Sequence, residues 1–196
     1  NTDTGNQVSN KININSGKSQ FIETDVSDLN SVKNMVEETV KQFGPPDVLI
    51  NNAGINVFNE PLKMSIEEWK RAFSVDLDGV WFGCQCVLPY MVEKKKGAIV
   101  NLASVHAIQI IPNCFPYPVA KHGVIGLTKA LAVDYAEKGI KINAISPGYT
   151  ETQILDRFFS TKPDPIAARK EASERQPIKR MGTTTEIANT IFFMSS

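Results

Sequence analysis

Residues 101–121 read NLASVHAIQIIPNCFPYPVAK. They follow Gly97-Ala98-Ile99-Val100-Asn101-Leu102, a short, mostly apolar run with a glycine start, which suits a buried parallel strand and puts Ser104 at that strand's carboxyl end. From Tyr117 the spacing turns helical, with Val119, Val124, Leu127, Leu131 and Tyr135 recurring at roughly helical intervals. Tyr117 and Lys121 stand four residues apart and so share one face of that helix.

The same alternation extends in both directions. Upstream, residues 1–18 are polar and hold a possible helix remnant at residues 7–12, and Phe21-Ile22-Glu23-Thr24-Asp25 reads as a strand ending in an acid. Ser27 is placed to cap a helix whose stripe is Leu29, Val32, Met35, Val36, Val40 and Phe43, with Gly44 as its stop. Asp47-Val48-Leu49-Ile50 is a second short strand running into Asn51-Asn52-Ala53-Gly54. Ser65 and Glu68 form a capping box ahead of Trp69, Phe73 and Asp76, and an amphipathic run continues from Val80 to Met91. Downstream, residues 140–145 give a fourth strand that ends in Ser146-Pro147-Gly148. The tail is helical from about Glu151, broken by prolines at 163, 165 and 177, with a last helix capped by Thr183 and Glu186. Strands alternating with helices predict an α/β fold, a doubly wound parallel sheet forming one domain over residues 1–196. Such sheets bind ligands beyond their carboxyl edge, where Asp25-Val26, Asn52-Ala53-Gly54, Ser104 and the segment from Pro147 to Thr152 all fall.

Composition narrows the function. The chain is long enough, with 42% hydrophobic residues, to bury one sizeable core. Lys+Arg and Asp+Glu both number 21, so nothing draws the chain to nucleic acid or an anionic membrane. The cationic run Lys94-Lys95-Lys96 sits where a helix should end, a place that suits cations. Cys84, Cys86 and Cys114 form no disulfide framework, and with only His106 and His122 beside them no metal site is expected. No apolar run reaches the ~20 residues needed to span a bilayer. These features suit a reducing, cytoplasmic setting.

Tyr117, Lys121 and Ser104 carry the chemistry. A phenol with a pKa of about 10 is a poor acid or base at neutral pH, and a nearby ammonium favours the phenolate. A serine hydroxyl across the cleft would hydrogen-bond the same substrate oxygen. The trio is equipped to take a proton from an alcohol while a hydride leaves its carbon. A tyrosine and a lysine four apart on a helix are, taken alone, more often a solvated pair. The furnished strand ends around them change that balance.

Taken in order, Asp25-Val26, Asn51-Asn52-Ala53-Gly54, Ser104, Tyr117 with Lys121, Asn143 and Pro147-Gly148 resemble the short-chain dehydrogenase/reductase family over nearly the whole chain. The resemblance implies a Rossmann-like fold and NAD- or NADP-dependent oxidation of an alcohol or reduction of a carbonyl. It implies Tyr117 as acid/base, Lys121 as the group that lowers its pKa and holds the nicotinamide ribose, and Ser104 as the group that orients the substrate. It also implies that Asp25 and Val26 meet the adenine, that Asn52, Ala53 and Gly54 run along the cofactor, and that Pro147, Gly148, Thr150 and Thr152 flank the nicotinamide. A homotetramer is implied by analogy. The family's glycine-rich loop and final strand have no counterpart, so the chain is expected to be a fragment truncated at both ends that binds a dinucleotide poorly. Asp76 stands where the family usually carries an asparagine that props a water beside the lysine; its charge favours the ammonium and opposes the phenolate. His106, Gln109, Asn113, Cys114 and Phe115 give the substrate loop a polar character that suits a sugar or polyol, with His106 and Phe115 as candidate substrate contacts. A 3-oxoacyl thioester reductase using NADPH and a non-catalytic nucleotide-binding member are the rival readings.

Overall fold

The computed structural model describes residues 2–196. At its centre lies an all-parallel sheet of three strands in the order β1 (Val48–Asn51), β2 (Gly97–Leu102), β3 (Ile140–Ile145). All six residues of the middle strand β2 are buried, which explains why its apolar run does not alternate. Before β1 come α1 (Thr2–Ile14) and α2 (Leu29–Phe43). The β1–β2 crossover holds α3 (Ile66–Phe73), a π-helical turn (Ser74–Asp78) and α4 (Gly79–Lys94). The β2–β3 crossover holds a short 3-10 turn (Val105–Ala107) and α5 (Tyr117–Tyr135), and α6 (Gln153–Ser160), α7 (Pro165–Arg175) and α8 (Thr184–Ser195) follow β3.

Helices cover both faces of the sheet. Val36 of α2, Cys84, Leu88 and Met91 of α4 and Leu131 of α5 pack on Ile99 and Ile142. On the opposite face Ile187, Ile191 and Met194 of α8 pack on Val100, Leu102 and Ile145. The fold is thus the Rossmann-like, doubly wound arrangement expected from the alternating pattern. A buried polar ladder fixes the register of the elements that carry the site. Asn51 Nδ2 donates to Asn101 Oδ1 at 2.8 Å, Asn101 Nδ2 to Thr128 Oγ1 at 2.9 Å, and Thr128 Oγ1 to the Val124 carbonyl at 2.7 Å. Gly83 of α4 lies so close to this ladder that a Cβ there would fall 2.4 Å from Asn51 Oδ1.

Three local features depart from the sequence reading. Residues 21–25 belong to no strand: the Asp25 N–H is taken by Ser31 Oγ at 2.9 Å, and the Thr24 hydroxyl turns back to the Ile22 carbonyl. A strand needs a neighbour for its backbone groups, and an apolar run does not say whether one is there. The α2 cap is Asp28, whose carboxylate accepts from the Asn30 N–H, because the Ser27 hydroxyl and N–H are both spent on Asp25 Oδ1 at 2.6 and 3.0 Å. The Ser74–Asp78 π-turn has no sequence signature; its wider turn tucks Val75 and Asp76 inward together. The capping boxes at Ser65/Glu68 and Thr183/Glu186 form as read, Gly44 closes α2 with φ +84°, and Pro165 opens α7.

Candidate active site

β2 delivers Ser104 to its carboxyl end, where Ser104 Oγ accepts from the His106 N–H at 3.2 Å and so caps the 3-10 turn. The chain loops out and returns at α5, whose first residue is Tyr117 and whose second, Pro118, has the φ that a helix start wants. Lys121 follows one turn later. Tyr117 is half-buried, and the Ser104 hydroxyl beside its phenol favours the ionised form. Lys121 is 4% exposed, donates from Nζ to the Leu102 carbonyl at 3.1 Å, and holds that nitrogen 5.5 Å from the centre of the Tyr117 ring. Strand end, loop and helix therefore bring all three groups into one cleft.

Asp76 enters the same cluster from the π-turn. It is 1% exposed; its Oδ1 accepts the Ile55 N–H at 2.9 Å and stands 3.8 Å from Lys121 Nζ. Its Oδ2, equally buried, has no hydrogen-bond partner among the described residues. Gly54 closes over the pair: a Cβ on it would lie 2.9 Å from Asp76 Oδ1 and 3.6 Å from Nζ. Burial dominates the titration of all three groups. It raises the Asp76 carboxyl, against the pull of Lys121 and the Ile55 N–H. It lowers the Lys121 ammonium, with Asp76 opposing. It raises the Tyr117 phenol, Ser104 working against it and Asp76 with it.

A recess of about 380 Å³ opens beside this cluster, lined by residues that include Asp25, Val26, Ala53, Gly54 and Arg71. The Ser27 hydroxyl and N–H hold the Asp25 carboxyl below the usual carboxylate range, so it faces the recess as a charged acceptor. Arg71 of α3 ties the rim together by donating to Ser27 Oγ at 3.1 Å. Asn52 stands exposed next to Ala53 and Gly54. In the β3 loop, the Pro147 carbonyl accepts the Val105 N–H at 3.0 Å, which fastens it to the Ser104 turn. Gly148 leaves only 2.8 Å between an added Cβ and Gln176 Oε1. The Thr150 hydroxyl is committed to the Gly148 carbonyl and that of Thr152 to the N-terminus of α6.

Aromatic rings wall the mouth above Tyr117. Phe58 meets its ring edge-on at 5.7 Å and Phe158 meets Phe58 at 5.9 Å, while His106 stands edge-on to Tyr117 at 6.2 Å. His106 Nδ1 lies 3.0 Å from the Gln109 carbonyl, which only accepts, so Nδ1 donates to it; in the neutral imidazole Nε2 is then the acceptor. Phe115 lies tilted against Trp69 instead, ring centres 5.7 Å apart, and its carbonyl takes the Asn59 N–H at 2.7 Å. That bond and the bridge from Phe58 to Pro116 seat the Phe58 loop against the start of α5. Phe58, Phe158 and Arg71 were not foreseen from sequence. Phe58 lies in a loop without periodicity and Phe158 looks like an ordinary apolar residue of α6.

The chain is similar to known proteins in both sequence and fold. A family model described as enoyl-(acyl carrier protein) reductase matches residues 2–196. The 3-oxoacyl-[acyl-carrier-protein] reductase of Thermotoga maritima is 38% identical over 171 residues, covering 87% of this chain and 67% of that protein. Among solved structures, the aldohexose dehydrogenase of Thermoplasma acidophilum superposes with a TM-score of 0.85 at 33% identity, over 92% of this chain and 73% of that one. A gluconate 5-dehydrogenase of Burkholderia cenocepacia, in complex with NADP and tartrate, superposes with a TM-score of 0.90 at 28% identity over 100% of this chain and 75% of its own.

Proposed function

Because the chain belongs to the short-chain dehydrogenase/reductase family, we propose that its cleft performs NAD(P)-dependent hydride transfer between an alcohol and a carbonyl, on a polyhydroxylated substrate such as a sugar. The observation that carries this reading is the convergence of Ser104, Tyr117 and Lys121 beside the Asp25–Gly54 recess. The recess fits the adenine end of a dinucleotide: Asp25 offers a charged acceptor to an exocyclic amine, Val26 and Ile55 supply apolar walls, and Gly54 keeps the backbone bare where a Cβ would already crowd Asp76 and Lys121. Asn52, Ala53 and Gly54 would run along the cofactor, and Pro147, Gly148, Thr150 and Thr152 would flank the nicotinamide, which when bound gives or takes the hydride.

Within the chain, Tyr117 moves the proton on the substrate oxygen, and Ser104 holds that oxygen by a second hydrogen bond. The Lys121 ammonium stabilises the phenolate that forms and offers N–H groups to the ribose. Asp76 props the turn by taking the Ile55 N–H. His106 favours a hydroxylated substrate, because its acceptor nitrogen Nε2 welcomes an O–H, and the faces of Phe58 and Phe158 suit the C–H side of a sugar ring. Phe115 acts at one remove, by steadying the Phe58 loop. Exposed Trp81 on α4 and Val119 and Val133 on α5 favour a homo-oligomer, in the family's tetrameric manner. Three free cysteines suit the reducing cytoplasm, and no helix among the described residues is long and apolar enough to cross a membrane.

The rival reading, reduction of a 3-oxoacyl thioester, is favoured by the sequence similarity to the Thermotoga maritima enzyme. Nicotinamide absorbance separates the two. Aldohexoses and gluconate are offered with NAD⁺ or NADP⁺ from neutral to alkaline pH, and acetoacetyl coenzyme A with NADH or NADPH. Turnover of a sugar supports the proposal; turnover of the thioester alone replaces the substrate, and silence on both with cofactor bound counts against catalysis.

A further inference from the structure

The least ordinary feature of the cleft is a carboxylate buried against the lysine. Nothing in the fold requires a charge there: the hydrogen bond from Ile55 N–H to Oδ1 is one that a neutral amide oxygen accepts equally well. The second oxygen, Oδ2, is buried and has no partner among the described residues, so hydrogen bonding accounts for one oxygen and not for the charge. What the carboxylate does supply is a negative charge 3.8 Å from Lys121 Nζ, and through that side chain beside the Tyr117 ring.

We propose that Asp76 is a charge-setting residue that keeps both Lys121 and Tyr117 protonated, so that the site rests in its proton-donating form and serves carbonyl reduction at neutral pH, with alcohol oxidation opening only in alkali. This rests on Tyr117 being the group that moves the proton. In the reductive step a hydride supplied by the reduced nicotinamide bonds to the carbonyl carbon, and the Tyr117 O–H bond breaks as its proton bonds to the oxygen. The phenolate left behind is stabilised by the Lys121 ammonium and is reprotonated from solvent. Oxidation runs the same step backwards and needs the phenolate first, which a neighbouring negative charge opposes.

Other ionisable groups on the surrounding elements do not share this role. On α3, Arg71 reaches Ser27 and Glu68 is engaged with Ser65; on α4, Lys94 reaches Asp47 at the far end. On the π-turn itself Asp78 is exposed to solvent. On α5, His122 is turned to the Pro118 carbonyl, and in the turn before it His106, edge-on to the Tyr117 ring at 6.2 Å, gives its Nδ1 to the Gln109 carbonyl. In the loop before α5, Cys114 adds to the rise of Tyr117, and its thiol is itself pushed up by burial, so it is neutral near pH 7. The directions agree with the geometry: Asp76 opposes proton loss at Lys121 and at Tyr117 alike.

The test needs neither substrate nor cofactor. Tyrosinate absorbance is titrated in the wild-type chain and in Tyr117→Phe, and the difference isolates Tyr117. The same pair is measured in the Asp76→Asn background, with circular dichroism confirming a folded chain over the range; Asp76→Thr serves as a second neutral acceptor for the Ile55 N–H. Tyr117 is expected to ionise at lower pH in both neutral variants, by on the order of one pH unit. An unchanged or higher midpoint in folded variants overturns the charge-setting role and leaves the proposed hydride transfer standing. Where a turned-over substrate is in hand, the alkaline rise of oxidation should move down with Asp76→Asn. A substantial rate in Tyr117→Phe would instead remove the reading on which the proposal rests.

Discussion

Replacing Lys121 by methionine takes the counter-charge from a buried carboxylate with little change in packing volume. Asp76 is 1% exposed and keeps only the Ile55 N–H as a partner once the cation is gone. Burial already raises its carboxyl, and without Lys121 only the Ile55 N–H opposes that rise, so the folded chain holds the Asp76 proton to higher pH. The unfolded chain loses the same proton at the ordinary value of 3.8. Removing one partner of a buried pair leaves the other charge uncompensated, at a cost of about 3–5 kcal/mol. Relief from burying an ammonium returns part of this, and the expected net loss near pH 7 is about 2–4 kcal/mol. The sign follows from a carboxyl raised in the folded state: the penalty is absent below about pH 4 and grows as pH climbs toward 7. Urea denaturation of the wild-type chain, Lys121→Met and Lys121→Met/Asp76→Asn at about pH 4.5 and pH 7 reads it directly. A loss of equal size at both pH values, or a double variant no more stable at pH 7 than the single one, would refute the reasoning.

Gly54→Ala is expected to cost about 1–3 kcal/mol in thermal or chemical denaturation, since its Cβ would stand 2.9 Å from a buried Asp76 oxygen that has no room to move. It should also weaken dinucleotide binding in a fluorescence titration, because the same wall lines the recess. Asn101→Leu breaks the ladder at its middle and leaves the Asn51 amide and the Thr128 hydroxyl short of a partner, a loss of about 2–4 kcal/mol visible in the melting curve. His106→Leu removes the acceptor at the mouth, and KM for a hydroxylated substrate is expected to rise about tenfold with kcat little changed, the worth of one hydrogen bond; a collapse of kcat instead would place His106 in the chemistry.

Much of the site was legible because family-like motifs sit at strand ends, where sequence is most explicit. The apolar run before Ser104 and the helical spacing after Tyr117 located the two walls of the cleft, and the four-residue interval to Lys121 placed the pair on one face. The capping boxes were equally readable, being local hydrogen-bond patterns. What escaped depended on partners distant in sequence. Residues 21–25 have strand composition and no strand beside them. Ser27 looked like a cap, and Asp25 claimed its hydroxyl. The π-turn that turns Asp76 inward leaves no periodic trace, and Phe58 reaches Tyr117 only because its loop is fastened to the chain before α5. The hydroxyls of Thr150 and Thr152 show the same limit from the other side: motif position nominates them, and local hydrogen bonds occupy them.

The central claim is that one phenolic hydroxyl moves the substrate proton. Single-turnover reduction of nicotinamide by an accepted aldohexose at alkaline pH, compared between the wild-type chain and Tyr117→Phe at matched cofactor saturation, tests it most directly. The account predicts a fall of at least a thousandfold, on the order of 4 kcal/mol in the barrier, with an unchanged melting temperature and retained cofactor binding. A Tyr117→Phe variant that stays within about tenfold of the wild-type rate would contradict it.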